Sequence, residues 1–254
     1  MNSFRLAVAV GVSLAMAACG GGSHGSNGRS LAVAAAANLT GVMDEIAAAF
    51  EKESRVHVVL SYGSTAQLSQ QIENGAPFDV FAAADTEHVD ALVKRGRLRA
   101  DSRAVYARGQ LALWVPAGRQ VRVQRVEDLT APEVRYIAVA QPELAPYGRA
   151  AVEVLKAAGI WDKVQPKVVY ANNINMARQF AESGNADAAF TAFSLVIDAK
   201  GTVIKPDPKL YRPIDQALGI VESTRELDVA REFVRFLSGG GGRAILARRG
   251  YFVE

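Results

Sequence analysis

From residue 31 onward, short apolar runs alternate with amphipathic stretches, and this alternation limits the possible fold more than any other feature. The runs 31–37 and 80–84 contain only apolar side chains, which predicts two buried strands. Between them, Leu39, Val42 and Ile46 recur at helical spacing and predict the apolar face of a helix. Strands that alternate with amphipathic helices are typical of α/β architecture.

The same two patterns continue along the chain. Apolar runs predict further strands over 56–61, 111–115, 137–140, 167–170 and 188–191. Amphipathic stretches predict helices at 68–72, after Asp85, at 149–158 and at 175–183. Near the end, Val229, Phe233 and Leu237 predict one more helix, followed by the glycine run 239–242 and a short last helix. No repeat of fixed period is present, so a solenoid is excluded.

The length of this region points to two lobes rather than one. Residues 31–254 exceed the commonest size of a single domain, yet no linker rich in Pro, Gly or Ser divides them. Two lobes that the chain crosses twice explain both facts, with crossings predicted at 111–115 and 217–221. The predicted division is 31–110 plus 217–254 for the first lobe and 111–216 for the second.

The first thirty residues have the composition of a secretion signal and a tether. Residues 1–18 place an arginine before a short apolar stretch that ends in small residues, which predicts a signal peptide. Cys19 and the Gly/Ser-rich segment up to residue 30 predict a flexible tether, 19–30. The letters MAAC resemble a bacterial lipobox, so we predict lipidation of Cys19, whereas cleavage after the triplet AMA would leave a free thiol. Either way, the protein is expected to work outside the cytoplasm.

Composition excludes several classes of function. The 29 basic and 26 acidic residues are interspersed, so the basic patch that nucleic-acid binders present is not evident. A single cysteine excludes a disulfide within the chain, and three widely spaced histidines show no metal-ligand spacing. The sequence contains no Walker A motif, no Gly-x-Ser-x-Gly elbow and no His-Glu-x-x-His motif, which removes the commonest nucleotide, hydrolase and zinc-protease interpretations.

Four predicted junctions between a strand and a helix share one layout of small and polar residues. They are AANLT (36–40), SYGST (61–65), APYGR (145–149) and ANNIN (171–175). Because a helix N-terminus presents unpaired N–H groups and a partial positive charge, such junctions can bind an anion without a cationic side chain. The alternative is that Asn38, Ser64 and Asn173 merely cap their helices, as Asn and Ser often do.

Several stretches of the sequence resemble a known family. They are AAAANLT (34–40), SYGSTAQLSQQIENGAPFDVFAAAD (61–85), APYGRAA (145–151), NADAAF (185–190) and ARRGY (247–251). On these residues the chain resembles the periplasmic molybdate-binding proteins of ABC transporters, from about Leu31 to its C-terminus. The resemblance implies a two-lobed type II periplasmic binding fold, with a mixed sheet flanked by helices in each lobe and a ligand cleft between them.

The resemblance also implies a set of oxyanion-binding residues. They are Ala37, Asn38, Ser64, Tyr147 and Ile174. Many family members have serine at the position of Asn38, alanine at that of Tyr147 and a tyrosine at that of Ala192. This chain instead resembles a subgroup in which the third loop supplies the tyrosine hydroxyl.

We therefore expect a periplasmic solute-binding protein that captures molybdate, and also tungstate, for import by an ABC permease in the inner membrane. The resemblance implies no enzymatic activity, no catalytic residue and no cofactor, with molybdenum present only as the bound oxyanion. A monomer is expected, with no nucleic-acid partner and membrane contact only through the lipid on Cys19. The alternatives are a binding protein for sulfate or phosphate, an anchored enzyme acting on a small anion, and a cell-surface sensor or adhesion module.

Some other residues allow more than one interpretation. Asp79 and Asp85 flank an apolar strand, where strand-end or capping roles are expected rather than acid–base chemistry. Thr65 is either a further ligand donor or an ordinary first-turn residue, and Arg149 is left out of the site. Trp114 and Trp161 are expected to be packing or interface residues rather than cofactor platforms.

Overall fold

The computed structural model describes residues 29–253. The predicted signal peptide, Cys19 and most of the predicted tether therefore lie outside the described residues. Within 29–253, no helix is both long and apolar enough to cross a membrane.

In the described part of the chain, ten strands and eight α-helices follow one another in α/β order. The strands are β1 (Ser30–Ala36), β2 (His57–Gly63), β3 (Val80–Ala82), β4 (Ala104–Gly109), β5 (Leu111–Pro116), β6 (Ile137–Ala140), β7 (Val168–Ala171), β8 (Ala188–Ala192), β9 (Gly201–Ile204) and β10 (Ile214–Ile220). The helices are α1 (Val42–Ser54), α2 (Thr65–Glu73), α3 (Glu87–Lys94), α4 (Pro146–Ala157), α5 (Trp161–Val164), α6 (Ile174–Ser183), α7 (Leu227–Ser238) and α8 (Gly240–Arg248).

The strands form two five-stranded mixed sheets, as expected for two lobes. In the first sheet the order is β2-β1-β3-β10-β4, and in the second it is β7-β6-β8-β5-β9. In each sheet the first three strands of this order pair in parallel. The fourth strand pairs antiparallel with the third, and the fifth pairs antiparallel with the fourth. We call each sheet with its flanking helices a lobe, the first lobe being the one that contains the first sheet.

Apolar side chains cover both faces of each sheet. In the first lobe, α1, α7 and α8 pack on one face, around Phe50 and Phe233, and α2 and α3 pack on the other, around Leu68 and Leu92. In the second lobe, α4 packs on one face and α6 on the other. The core under α4 also includes Ala37 from the first lobe, so the two lobes meet where β1 ends.

The crossings between the lobes lie beside the predicted segments rather than within them. β5 pairs only with strands of the second sheet, and β10 pairs only with strands of the first. The chain therefore crosses between Gly109 and Leu111 and returns between β9 and β10. The crossing at Gly109 is sharp because one residue, Gln110, separates β4 of the first sheet from β5 of the second.

Three further details differ from the sequence-based expectations. The patterns predicted neither β4 nor β9, since both contain exposed or polar positions. Helix α4 begins at Pro146, three residues before the predicted start, because proline is well suited to the first turn of a helix. The glycine run does not precede the last helix as a loop. Gly240, Gly241 and Gly242 form the first turn of α8.

Candidate functional site

The four junctions converge on one small cavity between the lobes. All five residues that the resemblance implied for oxyanion binding line it, together with seven others. The lining residues are Ala36, Ala37, Asn38, Gly63, Ser64, Thr65, Ala84, Ala145, Pro146, Tyr147, Asn173 and Ile174. The cavity is small, with about 10 Å³ open to the centre of a water molecule, so it excludes a sugar or a nucleotide.

Each junction brings the start of a helix to this cavity. Thr65 and Ile174 are the first residues of α2 and α6, and Tyr147 is the second residue of α4. Asn38 lies within a short 3₁₀ turn, Ala37–Leu39, that follows β1. Because the first N–H groups of a helix have no partner within it, these starts direct N–H dipoles toward the cavity.

Two of the three residues for which capping was the alternative do cap their helices. Ser64 Oγ accepts a hydrogen bond from Gln67 N–H at 3.3 Å, and Asn173 Oδ1 accepts one from Met176 N–H at 2.9 Å. The Ser64 hydroxyl accepts in its bond, so its own proton is still available to a ligand. Capping and ligand binding are therefore compatible at Ser64.

Asn38 is not a helix cap. Its side-chain amide nitrogen donates to Gln216 Oε1 and to the Tyr251 hydroxyl, both at 3.0 Å. The carbonyl oxygen of the same side chain, Oδ1, is buried and has no hydrogen-bond partner among the described residues. Both amide protons are thus used within the protein, and the group that Asn38 offers to the cavity is its backbone N–H.

Tyr147 is almost completely buried, with 1% of its surface exposed. Its hydroxyl accepts a hydrogen bond from Gln216 Nε2 at 3.0 Å, and no described residue accepts the Tyr147 proton. Burial raises the pKa of Tyr147 well above its ordinary value, so the hydroxyl stays protonated at neutral pH. The Tyr147 hydroxyl is therefore a neutral donor at the wall of the cavity.

The space for this hydroxyl depends on a glycine in the first crossing. A Cβ atom added to Gly109 would lie 2.0 Å from the Tyr147 hydroxyl and 2.6 Å from Gln216 Nε2. Both distances are shorter than any van der Waals contact. Any side chain at position 109 would therefore displace Tyr147, Gln216 or both.

The other candidate residues have structural partners. Thr65 Oγ1 accepts a hydrogen bond from Ala84 N–H at 3.1 Å, and Asp79 accepts one from Ala32 N–H at 2.8 Å. Arg149 donates to Asp85 and Glu87 in a separate cleft and does not line the cavity. Asp85 also accepts a hydrogen bond from His88 N–H at 3.0 Å, near the start of α3, in line with the capping role expected of it.

Several contacts join the lobes around the cavity. Ala66 N–H donates to Leu144 O at 3.2 Å, and Ser194 Oγ donates to Asn38 O at 3.1 Å. On one flank Arg149 reaches Asp85 from the opposite lobe at 3.2 Å. These bonds hold the two walls of the cavity together, so the arrangement is that of a closed cleft.

Sequence reasoning missed three residues behind the cavity wall. Gln216 and Tyr106 form a hydrogen bond at 2.8 Å, and Tyr251 donates to Asn38 O at 2.8 Å. One signal was available, because Gln216 is a polar residue that directly precedes the apolar second half of β10, residues 217–220. Nothing in the sequence pattern connects Gln216 to Asn38, which lies 178 residues away along the chain.

Known proteins share this sequence and architecture. The sequence model of the family described as bacterial extracellular solute-binding proteins matches residues 31–252. The molybdate-binding protein ModA of Azotobacter vinelandii is 36% identical over 254 residues, covering 98% of each chain. ModA of Rhodobacter capsulatus is 34% identical over 222 residues, which is 87% of each chain.

A solved structure extends the similarity to three dimensions. The structure of the periplasmic molybdate-binding protein of Azotobacter vinelandii matches with a TM-score of 0.84 and 34% sequence identity. The match covers 88% of this chain and 99% of that one. With the two mixed sheets and the cleft between them, these similarities show that the chain belongs to the family of bacterial extracellular solute-binding proteins.

Proposed function

We propose that this protein captures molybdate, and also tungstate, outside the cytoplasm and delivers it to an ABC permease in the inner membrane. One observation carries the proposal: four helix starts surround a small cavity lined by three buried hydroxyl groups, of which those of Ser64 and Tyr147 are the proposed donors. The similarity to molybdate-binding relatives supports the choice of ligand. The proposed contacts are the backbone N–H groups of Ala37, Asn38 and Ile174 and the two hydroxyls.

The proposed mechanism replaces the hydration shell of a dianion with neutral donors. None of the described residues that line the cavity has a charged side chain. Hydrogen bonds from N–H and O–H groups to an ionised acceptor are shorter and stronger than those between neutral groups, and the helix starts add fixed partial charges. In a dry cavity these dipoles are already oriented, so little reorganisation accompanies binding.

The proposed cycle couples ligand capture to closure of the lobes. We propose that the anion enters when the lobes are apart and that the contact between Ala66 and Leu144 forms as they close. A permease could then distinguish loaded protein from empty protein by the spacing of the lobes. The proposed lobes are 31–110 with 217–254 and 111–216, and since β10 begins at Ile214 the second boundary would lie a few residues earlier. In this proposal the protein acts as a monomeric carrier, without a cofactor or an enzymatic step.

A panel of oxyanions tests the proposed function. Molybdate and tungstate should each raise the melting temperature, because a ligand that binds only the folded state stabilises it by mass action. Sulfate has shorter bonds to oxygen, so donors spaced for molybdate cannot all reach it, and it should raise the melting temperature much less. Equal stabilisation by sulfate would contradict the proposal.

The pH dependence of molybdate binding gives a further readout in the same experiment. Burial raises the pKa of Tyr251 to about 12 and that of Tyr147 well above its usual range. Neither hydroxyl loses its proton near neutrality, so affinity should be flat from about pH 6.5 to 8. Affinity should also depend weakly on salt, since the proposed donors are uncharged.

Replacing Ser64 by alanine should separate ligand binding from helix capping. Ser64→Ala removes one hydrogen bond to a charged ligand, so molybdate affinity should fall about ten- to a hundredfold in calorimetric titration. It also removes the cap of α2, which should cost about 1 kcal/mol of stability. Asn173→Ala is the matched control, because it removes the cap of α6 without removing a proposed donor. An equal loss of affinity in both variants would show that Ser64 acts only as a cap.

We also propose that lipid on Cys19 anchors the protein to a membrane. The proposal depends on the MAAC sequence and the Gly/Ser-rich segment that follows it. Intact-mass analysis of the membrane fraction should find an acylated N-terminal cysteine, and Cys19→Ser should release the protein into the soluble fraction. Unchanged membrane association of that variant would contradict the anchor.

A further inference from the structure

A buried amide on β10 links the residues that line the cavity in the two lobes. Gln216 has no exposed surface. Its side chain accepts a hydrogen bond from Asn38 Nδ2 of the first lobe and donates one to the Tyr147 hydroxyl of the second, each at 3.0 Å. Asn38 and Tyr147 line the cavity, whereas Gln216 lies behind them and is absent from its lining.

The hydrogen bonds of this amide leave the Tyr147 proton unused. Gln216 Oε1 accepts from the Asn38 amide at 3.0 Å and lies 2.8 Å from the Tyr106 hydroxyl, whose single proton also has Ala83 O as an acceptor at 2.8 Å. With its oxygen held there, the amide turns its N–H₂ group to Tyr147 and donates. A hydroxyl that accepts from an amide must direct its own proton elsewhere. Among the hydrogen bonds of the described residues, none takes the Tyr147 proton.

We propose that Gln216 is a positioning residue for oxyanion binding, which holds the Tyr147 hydroxyl so that its proton points to the anion. This inference rests on the proposed function, since it requires an anion in the cavity. Gln216 does not touch the ligand and acts through Tyr147. The site therefore depends on a residue of β10 as well as on the four junctions.

A double-mutant cycle tests this role by calorimetric titration with molybdate. Tyr147→Phe alone should weaken binding about ten- to a hundredfold, because it removes the donor itself. Gln216→Met, which keeps the length of the side chain, should weaken binding about fivefold or more. In the Tyr147→Phe background, Gln216→Met should add less than about a twofold loss, since the hydroxyl that it positions is absent.

Two outcomes of the cycle would overturn the inference. If the fold-loss of molybdate affinity in the double variant equals the product of the losses in Gln216→Met and Tyr147→Phe, Gln216 does not act through the hydroxyl. If Gln216→Met alone binds molybdate as well as or better than the parent protein, the amide takes the Tyr147 proton instead of releasing it. Absence of molybdate binding in the parent protein would instead refute the proposed function, so the two failures are distinguishable.

A control and a second variant keep the test decisive. Tyr106→Phe leaves the bonds of Gln216 to Asn38 and Tyr147 in place, so it should weaken molybdate binding less than Gln216→Met does. If Gln216→Met does not fold, Gln216→Glu retains the acceptor that faces Asn38 and Tyr106. An ionised carboxylate there would take the Tyr147 proton and repel the anion, so the loss should be at least that of Tyr147→Phe. Parent-like binding by Gln216→Glu would overturn the inference.

Discussion

Replacing Gly109 by alanine should abolish molybdate binding at concentrations that saturate the parent protein. The added Cβ would lie 2.0 Å from the Tyr147 hydroxyl and 2.8 Å from the ring carbon that bears it. Tyr147 is enclosed on all sides, so the ring cannot move aside without disturbing the cavity wall. Overpacking of this kind costs about 1–3 kcal/mol of stability, and the ligand also loses at least one donor. We expect affinity to fall more than a hundredfold, more than for Tyr147→Phe.

A second glycine of the same sheet provides the control. Gly219 lies in β10, and a Cβ there would meet only the flexible side chain of Leu98, at 3.0 Å or more. Gly219→Ala should bind molybdate with an affinity within about threefold of the parent. It changes the conformational entropy of the unfolded chain about as much as Gly109→Ala does. Titration calorimetry and thermal unfolding of both variants check the prediction. If Gly109→Ala binds as tightly as Gly219→Ala, the Tyr147 hydroxyl is not a ligand donor.

Local sequence patterns predicted the parts of the fold that depend on local interactions. The apolar run that became β1 and the helical spacing that became α1 each lie within about fifteen contiguous residues. The four junctions followed from the same local logic, since a strand that ends before a helix places its junction at a sheet edge. The resemblance to periplasmic molybdate-binding proteins then implied Ala37, Asn38, Ser64, Tyr147 and Ile174 within those junctions, and the structure places all five around one cavity.

The residues behind the cavity could not be predicted because they come from distant parts of the chain. Tyr251 reaches Asn38 across 213 residues, and Gln216 reaches Tyr147 across 69. No periodicity within one element encodes such contacts. The requirement for glycine at position 109 likewise depends on where a tyrosine from the other lobe lies.

Tertiary packing also overrode local propensity at the last helix. Glycine is among the weakest helix formers, so the run 239–242 favours a loop when considered alone. In the structure Gly242 is buried against the backbone of Leu237, where an added Cβ would lie 2.3 Å from a carbonyl oxygen. Close contact between α7 and α8 therefore requires glycine at Gly242, although it lowers helix propensity.

Replacing the side-chain nitrogen of Asn38 by an oxygen should have the second large effect. Asn38→Asp replaces an amide N–H₂, which donates to Gln216 and Tyr251, by an oxygen that cannot donate when ionised. It also places a negative charge in a residue that is 1% exposed and lines the proposed anion site. Like charges about 4 Å apart near a protein surface repel by about 4 kcal/mol, so molybdate affinity should fall about a thousandfold or more at pH 8.

The loss in Asn38→Asp should depend on pH in a direction set by burial. A buried carboxyl with no cation beside it has a raised pKa, because desolvation disfavours its charged form. In the unfolded chain the same carboxyl has an ordinary pKa, so the folded state binds the proton more tightly and its stability increases as pH falls. Protonation also restores one donor and removes the repulsion. Both the melting temperature and the molybdate affinity of this variant should therefore rise from pH 8 to pH 6, whereas those of the parent stay nearly flat.

Asn173→Asp distinguishes this effect from the general cost of a carboxylate near the cavity. Asn173 also lines the cavity, but its oxygen caps α6, a role that aspartate fills as well as asparagine does. Asn173→Asp should keep the parent melting temperature without ligand and lose molybdate affinity by charge alone. Asn38→Asp should lower both the melting temperature without ligand and the molybdate affinity, because it also breaks the hydrogen bonds that join Asn38 to Gln216 and Tyr251. A parent-like melting temperature for Asn38→Asp at pH 8 would show that these hydrogen bonds do not stabilise the wall of the cavity.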